Sequence, residues 1–292
     1  MSVAGKPRVS IIIIFINERR FLAAAVASVF AQTTEDWELI LADDGSTDGS
    51  TEIAADLVRQ APDRVRLLHH PKRENRGMSA TRNLGLAAAT GDYVGFLDAD
   101  DIWVPEKLEA QLDRFERDPN LGLVYGRTLI WNNWGGGPAG PDFCYDLGVE
   151  PDRTYPPPVV FRVLLANKSQ TPTTCNALMR RSLIDRIGGF EEDFRGMFED
   201  QVFFAKALLA APTHVSGNVW AKYRQHAASH SAQAERDGAV NEARVRFLTW
   251  LQRHARDAGA SAEDLRLIGA ELFAARRRTI GLRLRRLLGF EP

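Results

Sequence analysis

The run Val9-Ser10-Ile11-Ile12-Ile13-Ile14-Phe15-Ile16 is apolar at every position but one and mostly β-branched. A strand with one wet face alternates polar and apolar residues. A run apolar throughout is covered on both faces, as is the central strand of a parallel sheet lying between two helical layers. The residues that follow repeat this unit. Leu22, Val26, Val29 and Phe30 recur at helical spacing, Trp37 to Ala42 reads as a second strand, and a helix to about Gln60 follows. Val65 to His69 is a short third strand, and a helix carrying Arg82, Asn83 and Leu86 leads into a fourth, Tyr93 to Leu97. Strands alternating with helices give an α/β fold, a doubly wound, mainly parallel sheet. Right-handed crossovers then bring the carboxyl ends of the strands to one edge, where open α/β sheets bind ligands.

Polar residues crowd that edge. Asn17 and Glu18 follow the first strand, Asp43-Asp44-Gly45-Ser46-Thr47-Asp48 the second, and Asp98, Asp100 and Asp101 the fourth. Neighbouring carboxylates repel one another, so such a loop is costly unless a cation neutralises it. Hard oxygen ligands suit Mg²⁺ or Mn²⁺ shared with substrate phosphates. The same triplet also fits a solvated turn in which Asp101 caps the next helix, the one that carries Leu108, Leu112 and Phe115 after Pro105.

The later chain is less regular. Leu121 to Ile130 reads as a strand, whereas Trp131 to Pro158, rich in Gly, Pro and aromatics, reads as a long loop. Its rings could stack on sugar faces or simply pack the loop. Thr171 to Met179 returns to the sheet, and Glu199-Asp200 opens a helix carrying Val202, Phe203, Ala205 and Leu209. Those acids fit a helix N-terminus on electrostatic grounds alone. A polar segment, Tyr223-Arg224-Gln225-His226, ends in Ser229 and Ser231, and the chain from about Glu235 reads as helix. Its tail interleaves Arg276, Arg277, Arg278, Arg283, Arg285 and Arg286 with Ile280, Leu284, Leu287 and Leu288. That pattern suits either a solvated basic face or a helix lying on an anionic membrane. The division expected is 1–232 and a helical, Arg-rich extension, 233–292.

With 37 basic and 38 acidic residues in 292, the net charge of −1 argues against a nucleic-acid partner. Cys144 and Cys175 are far apart and suit neither a disulfide framework nor a zinc site. No apolar run reaches the length of a bilayer span, and the expected compartment is the cytoplasm, with contact at the inner membrane face through the basic helix as the alternative.

Taken together, the segments resemble the family 2 glycosyltransferases, inverting enzymes of GT-A fold. The matching pieces are Val9–Ile13 with Asn17-Glu18, Ser28-Val29-Phe30-Ala31-Gln32-Thr33, Asp43–Asp48, and Asn75-Arg76-Gly77 with Ala80-Thr81-Arg82-Asn83. Phe96-Leu97-Asp98-Ala99-Asp100-Asp101, Glu199-Asp200 and Tyr223-Arg224-x-His226-x-x-Ser229 complete the set, which covers roughly residues 8 to 231. The resemblance implies a nucleotide-sugar donor, a sugar or glycoconjugate acceptor, a role in polysaccharide or glycoconjugate synthesis, and Mg²⁺ or Mn²⁺ as cofactor. It places Asp44 at the nucleobase, with Ile14, Asn17, Glu18, Gly77 and Arg82 framing the pocket. Asp98 and Ala99 would face the donor ribose or sugar, Asp100 and His226 would hold the metal, and Asp200, with Glu199 beside it, would be the base. Ile14 and Ile16 stand where the family usually has Pro and Tyr, which leaves uridine as the default base and thymidine or guanosine open. An inactive nucleotide-sugar or glycan-binding module of the same fold is the alternative. A nucleotidyl transferase would want a Gly-rich loop and a Lys after Ile16, and neither is there.

Overall fold

The computed structural model describes residues 6–138, 140–229, 232 and 240–287, with side chains for all of these except 282–287. Ser231 and Leu288 lie outside the described residues, as do the side chains of Arg283, Leu284, Arg285, Arg286 and Leu287. Among those described, the sheet has nine strands. Its first half is the parallel array expected: β3 (Val65–His69), β2 (Trp37–Asp43), β1 (Val9–Phe15) and β4 (Tyr93–Asp98), in that spatial order. Helices α1 (Leu22–Phe30), α2 (Ser50–Gln60) and α3 (Met78–Ala88) make the crossovers.

The all-apolar run of β1 serves both faces of the sheet. Val9, Ile11, Ile13 and Phe15 pack with Leu22, Val26 and Val29 of α1 and with Leu108, Leu112 and Phe115 of α4 (Lys107–Arg117). Ile12 and Ile14 point the other way, into a second core with Phe96, Phe190 and Phe203. That core is completed by α7 (Glu199–Ala210), α8 (Val240–Asp257) and α9 (Ala262–Leu287), through Val202, Phe247, Leu248, Leu251, Ile268 and Leu272. The C-terminal helices therefore fill the same core as β1.

Beyond β4 the sheet becomes mixed. Its longer ladders stay parallel, but β8 (Ala177–Arg180) runs antiparallel between β4 and β6 (Leu123–Trp131). The long β9 (Thr213–Arg224) lies parallel to β6 and carries two short antiparallel strands, β5 (Ile102–Trp103) and β7 (Arg153–Tyr155). Three of these correct the reading from sequence: β5 follows the acidic triplet directly, β7 sits inside the presumed loop, and Tyr223-Arg224 ends a strand. Two more helices, α5 (Val159–Ala166) and α6 (Arg181–Ile187), pack beneath this half. Asp101 does not cap α4; it is buried and accepts the Arg224 amide at 2.9 Å.

Candidate active site

The strand registers set the site. Phe15 of β1 lies opposite Asp43 of β2, and Ile14 opposite Asp98 of β4, so these strands finish level. The loops leaving them meet the N-terminus of α7 around a cleft of about 560 Å³. Its wall includes Ile14, Glu18, Asp44, Gly77, Arg82, Asp98, Ala99, Asp100, Glu199 and Asp200. Acids far apart in sequence thus share one hollow.

Arg82 ties the two sides of the cleft together. Fully buried on α3, it donates from Nη1 to Glu199 Oε1 at 2.6 Å and from Nη2 to Asp98 Oδ1 at 2.7 Å. Burial alone would weaken its charge, but Glu199 and Asp98 more than offset this and hold it protonated. The second oxygen of Asp98 accepts from the Thr174 hydroxyl at 2.7 Å. Glu199 is pushed up to about 7, chiefly by burial, against the pull of Arg82 and with the help of neighbouring Asp200. Its Oε2 is buried without a partner. Asp200 is also raised by burial, again opposed by Arg82. Both acids open α7, where the helix dipole favours a negative side chain. Phe198, just before them, sits at φ +72°, a left-handed conformation rare for an aromatic residue. Its ring stacks on Phe247 of α8, centroids 5.6 Å apart, so the C-terminal helices fix the turn that presents Glu199 and Asp200.

On the opposite rim, pairing of β5 with β9 (Ile102 opposite Lys222) draws the end of β9 over the acidic triplet. Arg224 donates from Nε to the Asp100 carbonyl at 2.7 Å, and His226 Nε2 lies 3.0 Å from Asp100 Oδ2. The Arg224 guanidinium is enclosed by Phe21, Trp131 and Trp134, each within 5 Å of its ring centroid to the nearest ångström. Two aromatics of the irregular stretch are therefore packing elements that steady this rim. Burial and the Asp100 carboxylate push Glu18 up to about 7, against the pull of His226. Burial, then Asp100 and Asp98, raise Asp101 far above its usual range. A bound cation would relieve this crowding of carboxylates. Among the described residues no three His, Cys, Asp or Glu side chains form a complete metal cage. The donor set of Asp100 with His226 nevertheless fits Mg²⁺ or Mn²⁺, which bind through one or two protein ligands plus substrate phosphates and water.

The remaining wall is backbone-rich. Asp44 is buried and accepts the Arg76 amide at 2.7 Å and the Gly77 amide at 3.0 Å, which pins the loop before α3 against β2. Gly77 takes φ +88°, and a side chain there would press on Arg195, 3.2 Å away. Asn17 does not reach the cleft wall. Its Oδ1 accepts the Thr47 amide at 2.8 Å, so it shapes the loop after β2. His226 touches the site through Asp100.

Residues 10–188 match the family described as Glycosyl transferase family 2. The chain belongs to this family. It is 30% identical over 243 residues to the uncharacterized glycosyltransferase alr2836 of Nostoc sp., covering 81% of this chain and 70% of that protein. It is 34% identical to UDP-Glc:alpha-D-GlcNAc-diphosphoundecaprenol beta-1,3-glucosyltransferase WfgD of Escherichia coli, over 43% of this chain and 47% of WfgD. Among solved structures, S. aureus TarS 1-349 in complex with UDP-GlcNAc superposes with a TM-score of 0.71 at 19% identity, covering 92% of this chain and 72% of that one. Mannosyltransferase PcManGT from Pyrobaculum calidifontis, in complex with GDP-Man and Mn²⁺, gives 0.60 at 20% identity, over 96% and 81%. The fold of this family 2 glycosyltransferase is thus the GT-A fold, an α/β arrangement with a mixed, mainly parallel sheet and C-terminal helices.

Sequence reasoning missed part of this glycosyltransferase's wall. Arg195, Met197 and Thr174 line the cleft from segments with no periodicity, and Tyr223, quoted above only as part of a motif, joins them from the end of β9. Arg195 donates to the Asn75 carbonyl at 3.3 Å and so bridges the Gly77 side to the loop before α7.

Proposed function

We propose that the chain transfers a sugar from a nucleoside-diphosphate sugar, a UDP-sugar in the first instance, to an acceptor hydroxyl with inversion. The observation that carries this reading is the single cleft that Asp44, Asp98, Asp100 and Asp200 share. WfgD, whose name specifies UDP-Glc, and TarS, crystallised with UDP-GlcNAc, support a uridine donor and a role in polysaccharide or glycoconjugate synthesis.

In this reading Asp44 and the Gly77 loop seat the nucleobase, Ile14 lines its pocket, and Asp98 and Ala99 face the ribose or sugar. Glu18, Asp100 and His226 surround the diphosphate, with Asp100 and His226 as the metal ligands. A bound Mg²⁺ or Mn²⁺ supplies Lewis-acid stabilisation of the departing diphosphate. Asp200 takes the acceptor's hydroxyl proton as that oxygen bonds to the anomeric carbon from the face opposite the leaving group. One C–O bond forms, the C–O bond to the diphosphate breaks, and the nucleoside diphosphate departs. Burial strengthens Asp200 as a base by raising its affinity for a proton. Arg82 keeps Glu199 beside it without taking part in proton transfer.

Asp200→Asn tests this directly. Sugar transfer should fall by about two to four orders of magnitude, the usual worth of a positioned base, while calorimetry finds UDP and Mn²⁺ binding unchanged. Transfer at the wild-type rate would remove Asp200 from its role. Failure of the unmodified protein to bind any nucleoside diphosphate would remove the reaction altogether.

A further inference from the structure

The basic end of α9 has no part in the site above. One side of this helix faces the core: Asp264, Ile268, Leu272 and Ala275 are buried, and Arg162 binds Glu263 and Asp264 at its first turn. The other side carries apolar residues that the core does not use. Phe273 is 64% exposed and Ile280 58%, seven residues apart and so on one stripe two turns long. Exposed Arg276, Arg277 and Arg278 flank this stripe, and the Arg277 guanidinium lies over the Phe273 ring at 5.9 Å. From Leu272 to Phe290 the sequence holds six arginines and no acid, although the whole chain carries a net charge of −1. Leu284 and Leu287 continue the same spacing in sequence, at eleven and fourteen residues after Phe273.

This end of α9 also lies near the catalytic corner. Arg278 is close enough to Arg244 to oppose its charge. Arg244 in turn donates to Gln201 Oε1 at 3.4 Å, and Gln201 lines the cleft next to Asp200.

We propose that α9 docks on an anionic phospholipid surface, with Phe273 and Ile280 in the interfacial layer and the arginines among the phosphates. Exposed aromatic and aliphatic side chains ringed by arginine are what such a surface binds, through buried apolar area together with charge attraction. A second copy of this chain would set arginine against arginine, and a nucleic acid would leave the apolar stripe unused. The docking places the base side of the cleft close to the bilayer, and it holds whatever sugar the enzyme transfers.

The test is co-sedimentation of the full chain with vesicles of phosphatidylcholine alone or of phosphatidylcholine and phosphatidylglycerol in equal parts. Binding should require phosphatidylglycerol and weaken with added NaCl, because exposed charges are screened. The triple variant R276E/R277E/R278E should bind at least about tenfold more weakly, since arginines near the surface supply the charge attraction to anionic lipid. Phe273→Ser with Ile280→Ser, both at exposed positions, should also weaken binding while leaving the thermal midpoint and UDP binding unchanged. Equal binding to both vesicle types, binding to neither, or wild-type binding by the serine variant overturns the proposal. So does a sedimentation-velocity result in which this face pairs two copies of the chain and the serine variant separates them.

Discussion

Arg82 is the residue on which the chemistry of the cleft turns. Two carboxylates from different elements point at one buried guanidinium, and Glu199 still sits at about 7 because burial outweighs that attraction. The consequence for stability has a definite sign. An unfolded Glu ionises at about 4.3, whereas folded Glu199 keeps its proton up to about 7. The folded chain therefore binds the extra proton between these values, and stability falls as pH rises through them. Glu199→Gln removes the decline. Between pH 5 and pH 8, with chelator present, wild type should lose up to about 3 kcal/mol more than the variant, measured by urea denaturation at a series of pH values. Parallel curves would mean that Glu199 titrates normally.

Among the elements, α8 has the least expected influence on the site. Phe247 is fully buried and stacks on Phe198, the residue held at φ +72° just before the acids of α7. Phe247→Ala should cost about 3–5 kcal/mol by leaving a cavity and should also reduce turnover, because Phe198 loses the surface that holds its backbone. A stability loss with unchanged kcat would separate the two effects. The elements differ in how plainly the sequence announces them. Strand β1 was legible because a continuous β-branched run has few other uses, β2 to β4 because short apolar runs alternate there with helical spacing, and the acids at their ends followed from crossover handedness. The short strands were not. Ile102-Trp103 is too brief to have a period, and its pairing depends on β9, whose Gly217 and Asn218 interrupt any alternation. Arg195 sits in a stretch with no pattern and becomes part of the cleft only when the loop before α7 meets Gly77. The partner of Asp101 was illegible for a similar reason: the Arg224 amide is more than a hundred residues away, so the cap on α4 stayed open as an alternative.

At the scale of the whole molecule, the helices after Val240 close a core that β1 opens. Without them, Phe198, which stacks on Phe247, and the faces of α7 and α5 that they cover would meet water. Removing residues 240–292 should therefore yield an aggregating chain without a cooperative melting transition, visible by size-exclusion chromatography and calorimetry. The cross-link through Arg82 has an implication for anyone wishing to retarget this glycosyltransferase. Asp98, on the proposed donor side, and Glu199, beside the proposed proton acceptor, share one cation. Redesign at Asp98 to admit a different sugar would redistribute that cation's field and move the acidity of the pair opening α7. Altered sugar preference and an altered pH optimum would then be inherited together, and neither trait could drift far without a compensating change in the other.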